Sequence, residues 1–332
     1  MMCLADVKKL EGALKVVKTC ANVQPHEKVL VLTDTETLRV GELVATASLQ
    51  IAPDTVLAVI SPRMGHGAEP PTHVGSAMAN ADVVIMPLKF SMTHAAASRA
   101  ARKAGARMLS MGDYNERMLQ EGGIEADFLK LEKVVKRVAE IFTGGKTAEV
   151  FTPGGTKLRM DISGRQGFSE PGFAHKPGDI AGPPNIEANV GPLEGTTEGL
   201  IVVDASIPHP LLGVISSPIR LTVRNGQISE IEGDEQADIL RRLLADMDDP
   251  GMYNIAELGI GLNPCSRVSG NMMEDEGAYG TCHIGIGDNS GFGGTVKAKS
   301  HIDLIMHKPT VVIDGETIQE NGQLTTVDIM EG

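Results

Sequence analysis

At 332 residues the chain has room for two domains of ~150 residues each, which excludes a small stapled scaffold. Apolar residues at 42 % and charged residues at 22 % are globular proportions, and 38 Gly with 18 Pro in no fixed period exclude collagen and predict many tight turns. A net charge of −13 argues against a nucleic-acid partner, since phosphate neutralisation needs clustered Lys and Arg, and no long apolar run predicts a membrane span.

The opening residues, MMCLADVKKLEGALKVVK, read as an amphipathic helix and not as an export signal, so a cytoplasmic protein is expected. Cys3, Cys20, Cys265 and Cys282 include no C-x-x-C pair, and reduced, buried thiols are expected of them. Residues 4–20 follow helical spacing, 28–33 form a buried strand, 35–50 a helix, and 56–60 and 82–87 further buried strands. A helix over 95–105 ends in glycine and precedes a strand at 107–111. Short β-branched runs separated by helices predict a parallel sheet with helical crossovers. A last helix over 129–142 runs into Thr143-Gly144-Gly145, which marks the expected boundary between domains at 1–145 and 146–332.

Beyond that boundary the texture changes. Residues 163–187 are rich in Gly and Pro and predict long loops. Strand pairs at 219–223 with 227–231 and at 311–313 with 317–318 flank Asn225-Gly226 and Asp314-Gly315, two favoured hairpin turns, and one helix covers 238–247. The expected fold class is α/β: an N-terminal parallel-sheet α/β domain, then a hairpin-rich α+β domain. Residues 1–145 hold 17 Lys+Arg against 16 Asp+Glu, whereas 146–332 hold 13 against 27, so the acidity belongs wholly to the second half. Such a half is either merely soluble or gathers carboxylates around cations.

Two phosphate motifs fail on spacing. Gly144-Gly145-Lys146-Thr147 ends like a P-loop but has Glu140 where that loop needs glycine, and Gly285-Ile-Gly287 has Ser290 where a third glycine belongs. The cluster of His66, Glu69 and His73 lies in a Gly/Pro-rich stretch and reads as surface loop. Chemistry concentrates between residues 256 and 304, where Glu257, His283, His301 and Asp303 interrupt apolar, extended segments that are costly places for unpaired polar groups. His301 and Asp303 lie two apart on one strand and so share a face. Mixed imidazole and carboxylate donors suit Zn, Co, Mn or Fe(II), which makes the second domain the expected metal-binding one.

The phrases Asn185-Ile-Glu187, Pro192-Leu-Glu194-Gly195, Ala256-Glu257-Leu-Gly259, Gly280-Thr-Cys-His283-Ile-Gly-Ile-Gly287 and His301-Ile-Asp303 resemble, in order, the blocks of the metallo-aminopeptidase family that contains aminopeptidases T and S. The resemblance implies a two-domain homodimer with a two-metal hydrolytic site. It assigns Glu187, Glu257, His283, His301 and Asp303 as metal ligands, with Glu187, Glu257 and His283 catalytic. Glu187 is credited through the resemblance alone, since its loop makes an exposed glutamate the ordinary reading. Glu274 and Glu276 read either as support for the ligands or as a solvated turn. The family's tyrosine seven residues after the histidine is Ser290 here.

A related branch, similar to 2,5-dihydroxypyridine 5,6-dioxygenase, shares the shorter length and the His-x-Asp block. It is a single-iron, ring-opening branch with histidine where this chain has Glu257 and none at the position of His283. Ligand identity sides with the hydrolases and length with the dioxygenases. With ligands weighted above length, the expected activity is aminopeptidase-like hydrolysis of an amide bond in a small molecule or short peptide. Two ions of Zn, Co or Mn would activate a bridging water between them. The alternatives are a non-haem Fe(II) dioxygenase opening a hydroxylated pyridine-type ring, with Glu257, His301 and Asp303 on the iron, and a metal-stabilised binding protein without turnover.

Overall fold

The computed structural model describes residues 4–325, so Cys3 lies outside the described residues. The chain divides into two compact units, Met1–Leu129 with Pro171–Pro184, and Lys130–Glu170 with Asn185–Gly332.

The first unit is built on a five-stranded sheet in the order Thr55–Ile60, Val29–Asp34, Val83–Leu88, Arg107–Gly112, Ile180–Ala181, and every neighbour pair is parallel. Its three central strands are buried along their whole length, as strands of a parallel sheet joined by helical crossovers require. Leu38–Leu49, Thr72–Ala79 and Ala96–Lys103 are the helices between successive strands. Leu30, Leu32, Met78, Val84, Met86 and Met108 belong to one buried core cluster. Two sequence expectations change here. Thr55–Ile60 is an edge strand with one neighbour, so Val56 and Val59 are exposed where burial was expected. His73 lies on the helix Thr72–Ala79 and not in a loop, because Pro70-Pro71 leads into a helix whose first turn needs no N–H from it.

The second unit carries two antiparallel sheets. The eight-stranded one runs Gln227–Glu232, Ile219–Arg224, Glu198–Val203, Lys157–Asp161, Thr147–Phe151, Thr310–Ile313, Glu316–Glu320, Gln323–Leu324. Its two expected hairpins turn at Asn225-Gly226 and Asp314-Gly315, and all four residues have positive φ, as a turn that follows the strand twist demands. The seven-stranded sheet runs Gly213–Val214, Ser206–Ile207, His301–His307, Thr281–Gly287, Ile255–Gly261, Glu187–Val190, Gly167–Glu170. The stretch 163–187 therefore holds two short strands as well as loops, and Glu187 opens a strand instead of closing a loop. Parallel α/β and antiparallel layers together give the expected mixed fold class. No helix among the described residues is long and apolar enough to cross a membrane.

Candidate metal centre

The seven-stranded sheet has two unlike faces. Leu258, Ile260, Cys282, Ile284, Ile286 and Leu304 alternate onto one, all buried. The pairings Gly261↔Glu187, Gly259↔His283, Glu257↔Gly285, Gly285↔Asp303 and Gly287↔His301 put every predicted ligand on the other. Glycines opposite the ligands are what make room for them. A Cβ at Gly259 would lie 2.0 Å from His283 Nε2, and one at Gly285 would lie 2.4 Å from His301 Nε2. The first glycine of each Gly-Ile-Gly on these two neighbouring strands thus lies under an imidazole ring, and neither run is a phosphate loop.

The five predicted ligands converge as two overlapping triads, Glu187–Glu257–His283 and Glu257–His301–Asp303, with the donor atoms of each within 4.8 Å of one another. Glu257 belongs to both: Oε1 lies 3.7 Å from His283 Nε2 and Oε2 lies 3.0 Å from His301 Nε2. Asp303 Oδ1 is 3.2 Å from the same His301 nitrogen, and Glu187 Oε2 is 3.3 Å from His283 Nε2. The backbone carbonyl of Asp288 lies 2.8 Å from His301 Nδ1 and accepts its proton, which leaves Nε2 to face the carboxylates. Glu187 Oε2 and His283 Nδ1 are buried without a hydrogen bond.

The electrostatics call for a cation. Burial pushes Glu187 up, and the charges of Glu170, Glu257 and Asp303 add to it against His283, to about 8. Burial works against a charged His283, but Glu187, Glu257 and Asp303 outweigh it and lift the imidazole to about 9. His301 is likewise held well above its ordinary value by Asp303 and Glu257 despite its partial loss of water. Burial would raise Asp303, yet His301, His283 and a hydrogen bond from Glu276 keep it well below the usual carboxylate range. Clustered carboxylates that retain protons and imidazoles that hold theirs mark a site short of positive charge, which a divalent ion would supply. Two imidazoles and three carboxylates are a donor set that fits Fe(II), Mn, Co or Zn.

Of the groups around this cluster, Asn189 and Glu170 carried no sequence signal, whereas Glu274 and Glu276 did. Asn189, fully buried, donates to Glu187 Oε1 at 3.1 Å and to Glu170 Oε1 at 3.3 Å. Glu170 keeps contact with solvent at the edge of the centre, and crowding by protein together with the charge of Glu257 raises its pKa. Glu276, raised well above the carboxylate range by burial and by Asp303, hydrogen-bonds Asp303 as the neutral acid, while Glu274 is buried in the short helix Met272–Asp275. Only the pairing Glu170↔Glu187 could have found Glu170, and pairing is not written in a Gly/Pro-rich stretch. Ser290 is exposed and donates to Asp288 Oδ1 at 2.6 Å, a turn contact. In the other unit, His66 accepts from Ser91 N, and Glu69 accepts from the first amides of Ala96–Lys103. A surface cavity of about 490 Å³ lined by Arg267, Tyr279, His307 and Lys308 contains none of the ligands.

The family model described as 2,5-dihydroxypyridine 5,6-dioxygenase matches residues 9–326. The 2,5-dihydroxypyridine 5,6-dioxygenase of Pseudomonas putida KT2440 is 24 % identical over 255 residues, 73 % of this chain and 70 % of that protein. The solved structure of 2,5-dihydroxypyridine dioxygenase from the same organism superposes with a TM-score of 0.82 at 19 % identity, covering 97 % of this chain and 98 % of that one. AmpT from Thermus thermophilus gives 0.69 at 14 % identity over 96 % and 99 %. Both structural likenesses are likenesses of fold, and the second bears out the relationship to the aminopeptidases at that level.

The expected aminopeptidase-like metallo-hydrolase is overturned by the family match, whose named reaction is an oxygenation; hydrolase and metalloprotease do not describe this family. The physical reason is that imidazole and carboxylate donors serve hydrolytic and oxygenase metals alike, so the ligand set could not choose the reaction. With the match running through nearly the whole chain, the protein belongs to the 2,5-dihydroxypyridine 5,6-dioxygenase family.

Proposed function

We propose that the protein is a non-haem Fe(II) dioxygenase that opens a hydroxylated pyridine ring, with Glu257, His301 and Asp303 as the iron ligands. What supports the reading most is that a chain of this family brings these three donors together on one sheet face, with His301 Nε2 turned to the two carboxylates. The chemistry that ferrous iron supplies when bound is the reaction of dioxygen with a ring that does not otherwise combine with it. The protein's own groups do the rest. Asp288 fixes the tautomer of His301, Glu276 orients Asp303, and Asn189 orients Glu187. Of the ligands, His301 has the largest solvent contact, 23 % of its side chain against 9 % or less for the others, so a substrate approaches from its side. Glu187 and His283, which with Glu257 form the remaining triad, stand beside this single iron without binding it in the proposed reading. A homodimer and a cytoplasmic setting are carried as part of the same reading.

The test is elemental analysis after anaerobic reconstitution with Fe(II). The wild type is expected to retain iron at close to one ion per chain, and Asp303→Asn to retain almost none while keeping its circular dichroism. Equal iron in both would contradict the ligand assignment.

A further inference from the structure

One loop beside the centre presents an aromatic side chain and is fastened more firmly than its exposure requires. Between Gly287 and Ser300 the chain leaves the sheet, and Phe292 lies on this excursion with its ring centroid 5.1 Å from that of His301 at a tilt of 39°. Phe168 meets it edge-on, with centroids 6.3 Å apart and planes at 81°. Phe168 pairs with Asn189 across the strands, so it belongs to the ligand-bearing face of the sheet. The chain has only seven Phe, three Tyr and no Trp, and of these ten aromatics Phe292 stands against His301, the most exposed of the candidate ligands, with Phe168 behind it.

A clasp holds the loop. Glu194 Oε1 accepts from Asn289 Nδ2 at 2.9 Å, from Thr295 N at 2.7 Å and from Thr295 Oγ1 at 3.2 Å. Its other oxygen pairs with Arg165, which also donates to the carbonyl of Gly293. Asn289, fully buried, accepts from Val296 N at 2.9 Å. Gly191 lets the loop approach, since a Cβ there would lie 2.7 Å from the carbonyl oxygen of Phe292. Five glycine, serine and threonine positions lie in this stretch, and the clasp ties down the chain on both sides of Phe292, whose side chain stays half-buried.

We propose that Phe292, backed by Phe168, is the stacking wall that selects a planar, hydroxylated nitrogen heterocycle at this centre, and that Arg165, Glu194 and Asn289 are positioning residues that hold it there. The inference rests on the dioxygenase reading and adds the residue that recognises the ring. An aliphatic side chain of similar volume keeps the packing but loses the face-to-ring attraction, whereas tyrosine keeps both.

The experiment is anaerobic titration calorimetry of 2,5-dihydroxypyridine into Fe(II)-loaded protein, with metal content and melting temperature measured on every variant. Phe292→Leu is expected to bind about two- to tenfold more weakly and Phe292→Tyr within about twofold of wild type, both with full metal content. Phe292→Leu binding as tightly as the wild type would overturn the proposal, and so would loss of metal or of the fold in that variant, which would make the ring structural. Failure of the wild type itself to bind the ring would overturn the dioxygenase reading together with this one, whereas tight wild-type binding unaffected by Phe292→Leu overturns this one alone.

Discussion

Glu257 and Glu194 are two glutamates in the same unit with opposite tasks. Glu257 is buried between two imidazoles and lends one oxygen to each triad. Glu194 lies outside the ligand set and fastens a loop. Partial burial would raise its pKa, but the amide of Thr295, the side chain of Asn289, its own backbone N–H and the charge of Arg165 outweigh this and depress it to about 2. A carboxylate depressed in the folded state contributes stability above its ordinary value near 4.5 and loses it as pH falls through about 2. Glu194→Gln is therefore expected to melt below the wild type at pH 7, with the gap closing toward pH 2; a gap that stays constant across that range would show that the charge of Glu194 is not what holds the loop. His301 and Asp303 were legible in the sequence because two-residue spacing on a strand decides which face they share. Glu187 was not, since nothing in a Gly/Pro-rich stretch reveals that it opens a strand and is buried.

The strands at the centre carry their information in alternation. Apolar side chains occupy every second position on one face, and on the other the candidate ligands Glu257 and His283 share their strands with Gly259 and Gly285, which the rings of His283 and His301 overlie. Gly259→Ala is expected to displace the imidazole of His283, costing about 1–3 kcal/mol of stability by overpacking and weakening metal retention; a melting temperature and metal content equal to the wild type would refute this account of the glycine. Hairpins at Asn225-Gly226 and Asp314-Gly315 were readable from turn chemistry, as were Val29–Asp34 and Val83–Leu88 of the parallel sheet from their β-branched runs. The edge position of Thr55–Ile60 was not, because an apolar run looks the same at the edge of a sheet as in its middle. Nor was the addition of Ile180–Ala181 to the parallel sheet, a pairing of two residues far from its neighbour Arg107–Gly112 in sequence.

For the whole molecule, the fold class and the site's neighbourhood follow from local pattern, but the reaction does not. The same two histidines and three carboxylates permit hydrolysis or oxygenation, and Glu257 with His283 favoured the wrong one when set above chain length. The match over residues 9–326 draws on nearly the whole chain, which is why it decides between branches that ligand identity leaves open. The most direct measurement is oxygen consumption by the Fe(II)-reconstituted protein given 2,5-dihydroxypyridine, run beside an aminoacyl amide as the hydrolytic control. The account predicts dioxygen uptake with loss of the pyridine's absorbance and no release of amine from the amide. Amine release without oxygen uptake would contradict it.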